Sequence, residues 1–296
     1  MYTAHPITIV LVNDEHFMPM AAALLKSIQV NHHSGEPIEV YMVSDGISKS
    51  SKKRLEKTVV KDGFSIIWKD ISEAIPSDVK LPIDKTTFPI TVYARYFMAH
   101  YLPKDRERAL FLDTDMIVRK EISQLWHTDL GENIVAAVQD PRIKTFDNNW
   151  SGIKNYAELG LPGNSPYLNA GLYLVDLVKW EKEAIGRKVM KTVEANVKFA
   201  DYPDQYGSNI VLYGKWKKLD SGWNHFASEA HEDPQLIHFT SRKPMYTTYE
   251  YSKVYQEEFF KYLRMTEWRD FKPIGESARY IQKLRKILDK VKTMFR

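Results

Sequence analysis

Short apolar runs, each closed by polar or acidic residues, alternate with amphipathic stretches over most of the chain. Residues 7–12 form the first such run, and it stops at Asn13-Asp14. A run of this length without glycine or proline reads as a buried strand of a parallel or mixed sheet. Pro19 then opens a helix over 20–30, at a position where its missing N–H costs nothing. Residues 38–43 give a second strand, the charged stretch 52–61 a helix, and 64–68 a third strand. This β-α-β-α-β order predicts an α/β protein with a Rossmann-like sheet flanked by helices. Such sheets receive ligands at the carboxyl ends of their strands.

Further along, residues 89–98 begin a helix that carries Arg95 among aromatic neighbours. Residues 109–118 read as one buried strand interrupted by Asp113-Thr114-Asp115. Strands follow at 134–138 and 168–175, the second containing Asn169 and Gly171. A glycine weakens a strand unless a ligand or another backbone needs close approach. The segment 142–166 is polar and turn-rich and reads as an exposed binding loop. A long helix is expected over 179–197, another starts at 202–206 with Asp204 and Gln205, and a late strand spans 235–240 with His238.

The chemistry begins with the two acids. Side chains alternate across an extended chain, so Asp113 and Asp115 point to the same side. Like charges beside an apolar run repel and resist desolvation, and a divalent cation relieves both costs. The plainer reading is a strand end whose carboxylates face water or cap the next turn. Each of the others also has a plain reading: Arg95 as a surface arginine lying over apolar neighbours, Asp204 as a helix cap, His238 as a satisfied core residue.

Composition narrows the field. The 296 residues are 44% hydrophobic and 27% charged, as in an ordinary globular protein. With no cysteine, disulfides, thiolate zinc sites and a cysteine nucleophile are excluded. No Gly-x-Gly-x-x-Gly follows the first strand, so a dinucleotide-type cradle is not indicated. The N-terminal run lacks a basic leader and reads as a strand, not a signal peptide, and no segment is long and apolar enough to span a bilayer. The net charge of +4 is uneven: residues 276–296 hold seven Lys/Arg and two Asp/Glu, or +5, leaving −1 for the remainder. A nucleic-acid-binding body is therefore not expected. The basic, helically periodic tail suggests either peripheral contact with an anionic membrane surface or packing on the domain or a partner.

Taken together, five islands resemble the retaining GT-A glycosyltransferases of family 8, with bacterial lipopolysaccharide galactosyl- and glucosyltransferases nearest. They are Ile9 to Asp14, Thr91 to Arg95, Leu112 to Asp115, Leu168 to Gly171, and Asp204-Gln205. The resemblance covers roughly the first 245 residues. It implies a nucleotide-sugar domain over 1–250 and a helical, basic extension over 251–296.

The resemblance also implies roles. Asp113 and Asp115 look like the Asp-x-Asp pair that binds Mn2+, with Mg2+ as the alternative ion and His238 as third ligand. Thr114 lies between the acids. Asp14 and Phe17 match the uracil contacts; Arg95, Asn169 and Asp204 match residues that hold the donor sugar. Gln205 resembles the residue beneath the anomeric carbon, Asp140 one near the acceptor, and Lys243 and Ser241 phosphate contacts. The ending 238–245 is one residue shorter than the family's, with Ser241 in place of a glycine, so Arg242 is a second candidate for the phosphate.

The implied function is Mn2+-dependent, retaining transfer of glucose or galactose from a UDP-hexose to a saccharide, glycolipid or glycoprotein, at the cytoplasmic membrane face. The alternative is a catalytically silent protein of the same fold that binds sugar nucleotide or a membrane surface. Nucleotidyl transfer is disfavoured by the absence of a glycine- and lysine-rich first loop.

Overall fold

The computed structural model describes residues 6–61, 63–82, 90–230 and 232–278. In chain order the elements begin β1 (Ile7–Asp14), α1 (Met18–Asn31), β2 (Ile38–Asp45), α2 (Lys49–Val59), β3 (Phe64–Asp70) and α3 (Ile71–Ala74). A 3-10 segment, Ile90–Phe97, leads into α4 (Met98–Tyr101), β4 (Arg108–Leu112), β5 (Met116–Val118), α5 (Ser123–Trp126) and β6 (Val135–Ala137). After a long connection come β7 (Leu172–Asp176), α6 (Leu177–Lys182), α7 (Ile185–Ala195), α8 (Pro203–Val211) and β8 (Trp216–Lys218). Among the described residues the remaining strands and α-helix are β9 (His225–Phe226), β10 (Leu236–His238) and α9 (Lys253–Arg264).

Seven strands form one sheet in the order β3-β2-β1-β4-β7-β6-β8, in which β7 alone runs antiparallel to its neighbours. The expected mixed, mostly parallel α/β sheet is present. Alternation along each strand feeds two apolar layers. Ile9, Val40, Leu110 and Leu174 enter one, with α1; Val10, Tyr41, Phe111 and Tyr173 enter the other, with Tyr96, Trp180 and α7. Tyr255, Phe259, Tyr262 and Leu263 of α9 join the first layer, which is the same apolar cluster that holds α1.

Three expectations need correction. Residues 109–118 are not one strand: the chain leaves the large sheet after Leu112, and β5 pairs with β10 in a separate three-stranded sheet. The helix expected over 179–197 is two helices, broken at Ala184, which adopts a left-handed φ of 52°. Arg95 sits in a 3-10 segment rather than an α-helix. The segment 142–166 is also less open than its polarity implies, because Ile143, Phe146 and Ile153 build a small core with Tyr167 and Tyr206. Among the described residues no helix is long and apolar enough to cross a membrane. The basic amphipathic tail lies outside the described residues from 279 onward.

Candidate active site

A cavity of about 420 Å³ opens at the carboxyl ends of β1 and β4, the place a doubly wound sheet predicts. Its walls hold Asp14 and Phe17 after β1, Arg95, the acids after β4, the segment before β7, the start of α8, and His238 with Lys243 after β10.

The break between β4 and β5 creates the acidic corner. Asp113 N–H donates to Gly171 O at 2.8 Å, which holds the end of β4 against the start of β7. Beyond Thr114 the chain enters the small sheet, where His238 pairs with Met116. Phe239 N–H donates to Asp115 O at 2.9 Å and fixes that register. The result places His238 Nε2 3.1 Å from Asp115 Oδ1 and 3.8 Å from Asp113 Oδ2. One ligand atom from each of the three lies within 4.8 Å of the others. Both carboxylates do face one site, but a turn between two sheets brings them there, not strand alternation.

Cations balance the acids on either side. Arg95 is buried; its Nη2 lies 3.0 Å from Asp113 Oδ1 and its Nη1 donates to Ala170 O at 2.7 Å. Its guanidinium also stacks over the Phe111 ring, 4.5 Å from the centroid. This is a built-in side chain, unlike the surface arginine of the plain reading. Lys243 contacts Asp115 Oδ2. Burial pushes the Asp113 carboxyl above its usual range against the pull of Arg95, and the Asp115 charge adds to the rise. For Asp115, burial acts in the same sense, but Lys243 and His238 outweigh it and hold the carboxyl well below the usual range.

Apart from His238 Nε2 at 3.1 Å, Asp115 Oδ1 is buried with no hydrogen-bond partner among the described residues. An orphaned carboxylate oxygen costs free energy unless something fills the place. Two hard oxygens and one imidazole nitrogen suit a divalent first-row cation, so the residues present fit such an ion.

The floor is made of carboxamides. Gln205 Oε1 accepts the Ala170 N–H at 3.0 Å, and its Nε2 donates to Asp140 Oδ2 at 3.2 Å. Asn169 Nδ2 donates to the same Asp140 oxygen at 2.9 Å. Asp204, in the first turn of α8, has Oδ2 3.9 Å from Arg95 Nη1. Gly171 is needed here: a Cβ on it would lie 2.5 Å from His238 Cε1 and 3.0 Å from Asp113 Oδ2. The sequence suggests approach by a ligand or another backbone at this glycine; the protein atoms that crowd it are instead side chains of the cluster.

Asp14, Phe17, Arg95, Asp113, Thr114, Asp115, Asn169, Asp204, Gln205, His238 and Lys243 all line the cavity. Ser241 is not part of this wall: its hydroxyl accepts from Arg142 Nη1 at 3.2 Å, and Thr240 lines the cavity in its neighbourhood. Arg242 also turns elsewhere, to Thr248 Oγ1 at 2.8 Å and Glu276 Oε1 at 2.7 Å. Asn224, buried against His238 and Asn169, was not marked by any sequence pattern.

General stress protein A of Bacillus subtilis (strain 168) is 24% identical over 286 residues, covering 88% of this chain and 94% of that protein. Glycosyltransferase GlyA of Streptococcus pneumoniae serotype 4 is 28% identical over 247 residues, 80% of this chain but 32% of the longer relative. The galactosyltransferase LgtC, solved in complex with donor and acceptor sugar analogues, superimposes with a TM-score of 0.70 at 22% identity, over 92% of this chain and 99% of that one. The bifunctional WbbM in its apo form gives 0.75 at 20% identity, over 91% and 51% of the respective chains. At these identities the solved structures establish a shared fold. The sequence profile of glycosyl transferase family 8 matches residues 8–248, a span that takes in every wall of the cavity, and the chain belongs to that family.

Proposed function

We propose that the cavity transfers glucose or galactose from a UDP-hexose to a hydroxyl of a saccharide, glycolipid or glycoprotein, with retention of anomeric configuration. The reading rests on one observation: the ligand atoms of Asp113, Asp115 and His238 converge in the same cavity as Arg95, Asp204 and Gln205. These three would hold Mn2+, or Mg2+ in its place, and a divalent cation there offsets the charge that grows on the departing diphosphate.

The chain's own residues supply the rest. Lys243 adds a positive charge beside the acids. Asp14 and Phe17, at the end of β1, are assigned to the uracil, with the Asp14 Oδ1 already accepting the Phe17 N–H at 3.0 Å and setting the turn. Arg95, Asn169 and Asp204 are assigned to the sugar hydroxyls. The Gln205 carboxamide is neutral and tied at both ends, so it is a poor nucleophile. Front-face displacement follows: the acceptor oxygen bonds to the anomeric carbon as the bond to the diphosphate breaks on the same side. The hydroxyl proton passes to the departing diphosphate oxygen. Catalysis then comes from positioning and from a preorganised electrostatic field.

The test is UDP release from UDP-glucose and UDP-galactose with Mn2+, followed by acceptor trials with the better donor. Release that stops on chelation, and in the double variant Asp113→Asn/Asp115→Asn, supports the assignment. Turnover that ignores both would overturn it, and donor binding without any turnover would favour the silent-binder alternative.

A further inference from the structure

Asn224 ends the 3-10 segment Ser221–Asn224 and is 1% exposed. Its carboxamide lies between the floor of the cavity and His238, and the direction of every hydrogen bond in that chain can be worked out. A backbone N–H only donates, and Gly171 N–H lies 2.9 Å from Asn169 Oδ1. A carboxylate only accepts, and Asp140 Oδ2 takes Asn169 Nδ2 at 2.9 Å. The other Asp140 oxygen takes the backbone N–H groups of Arg142 and Ile143, each at 2.9 Å. Asn169 is therefore locked in one orientation from both ends.

The remaining links follow from that. Asn169 Oδ1 needs a donor, so the Asn224 atom 2.8 Å away is Nδ2. Asn224 then turns its Oδ1 toward His238 Nδ1 at 2.7 Å, and that ring nitrogen must carry the proton. A neutral imidazole protonated on Nδ1 has a bare lone pair on Nε2, the atom that faces Asp115 and Asp113.

We propose that Asn224 is a positioning residue that fixes His238 as the Nδ1–H tautomer and so makes Nε2 a metal donor. It also joins the metal corner to the Asn169–Asp140–Gln205 floor as one hydrogen-bonded unit. The assignment of Nε2 to a metal rests on the proposed function, whereas the Asn224–His238 hydrogen bond belongs to the metal-free protein. Removing such a partner of a metal-binding histidine typically weakens metal affinity about 10- to 100-fold.

The experiment uses the full chain with 15N-labelled histidine. Long-range 1H–15N correlation spectra of the metal-free protein identify the His238 pair by difference from His238→Gln. Mn2+ affinity is read from the electron paramagnetic resonance signal of free Mn2+. The wild type should show a protonated Nδ1. Asn224→Leu should lose that pattern and bind Mn2+ at least about tenfold more weakly. Asn224→Asp keeps an acceptor for Nδ1 and should retain the pattern, even though it loses the donor to Asn169. A wild-type His238 with an unprotonated Nδ1 overturns the proposal, and so does an Asn224→Leu protein with unchanged Nδ1 protonation and affinity. If Asn224→Leu fails to fold, loss of the Nδ1–H pattern in folded Asn224→Asp overturns it instead. A wild type that shows the expected tautomer and binds no Mn2+ would refute the metal reading alone.

Discussion

Lys243 and His238 divide the Asp115 carboxylate between them: the ammonium contacts Oδ2, and the imidazole Nε2 lies 3.1 Å from Oδ1. The ammonium thus partly neutralises a buried acid at the place where a cation would act, and it also donates to Phe239 O at 2.6 Å. A bound metal and this lysine compete for the same charge. Lys243→Met should therefore bind Mn2+ more tightly without nucleotide, by about tenfold, or ~1.4 kcal/mol. The same variant should bind the donor more weakly, because the diphosphate loses a positive neighbour. Calorimetry with Mn2+ alone and then with UDP separates the two effects. Weaker Mn2+ binding in the variant would show that no competition exists.

Gly171→Ala tests how closely the cluster is packed. The new methyl would overlap His238 Cε1 and press on Asp113 Oδ2 and Asn169 Oδ1, all parts of the site. Overpacking of this kind costs about 1–3 kcal/mol. A modest fall in melting temperature is expected together with a fall of at least about 100-fold in UDP release, since small misplacements cost that much in catalysis. Unchanged turnover would mean that the imidazole can move aside without consequence.

These residues also show what could be read from the sequence and what could not. The runs around Ile9 and Leu110 announced the sheet because burial on both faces leaves no other use for them. Asp-Thr-Asp and His238 were legible as residue types able to hold a cation, and their ligand atoms do converge. What failed was partner choice. Nothing local says that β5 leaves the sheet that β4 belongs to, since both halves of the run are equally apolar and the separation comes from pairing with β10. The break at Ala184 has no glycine or proline to signal it. Ser241 and Arg242 were placed by analogy with a motif of different length, and their hydrogen bonds run to Arg142, Thr248 and Glu276 instead. Asn224 has no periodicity at all, because its meaning lies in contacts 55 residues back and 14 ahead in the chain.

Arg95 should tolerate no substitute, lysine included. Its Nε, Nη1 and Nη2 reach Val92 O at 3.0 Å, Ala170 O at 2.7 Å and Asp113 Oδ1 at 3.0 Å, a fork that a single ammonium cannot copy. Removing one partner of a buried pair costs on the order of 3–5 kcal/mol. Asp113 keeps part of its surface open to the cavity, so Arg95→Met should fall at the low end. Arg95→Lys should recover part of the stability in denaturant titrations and little of the activity. Full recovery of turnover by lysine would reduce the role of Arg95 to charge alone.

Glu121 gives the fold an acid-sensitive joint away from the cavity. One oxygen lies 2.7 Å from His32 Nδ1 and accepts the Ser123 N–H at 3.1 Å; the other accepts the N–H groups of His33 and Ser34. The carboxylate thereby ties the end of α1 to the segment after β5. Burial raises its affinity for protons, but those N–H donors and His32 outweigh it and bring the carboxyl from 4.5 down to about 2. A depressed folded value means that the unfolded chain binds a proton more readily than the folded one. The stability from this group is therefore fully present above pH 4.5 and is lost as pH falls through about 2. Glu121→Gln should be less stable than the wild type at neutral pH, and the gap should narrow across that window. Melting temperatures at several pH values between those limits check it, and a gap that stays constant with pH would remove Glu121 from the acid response.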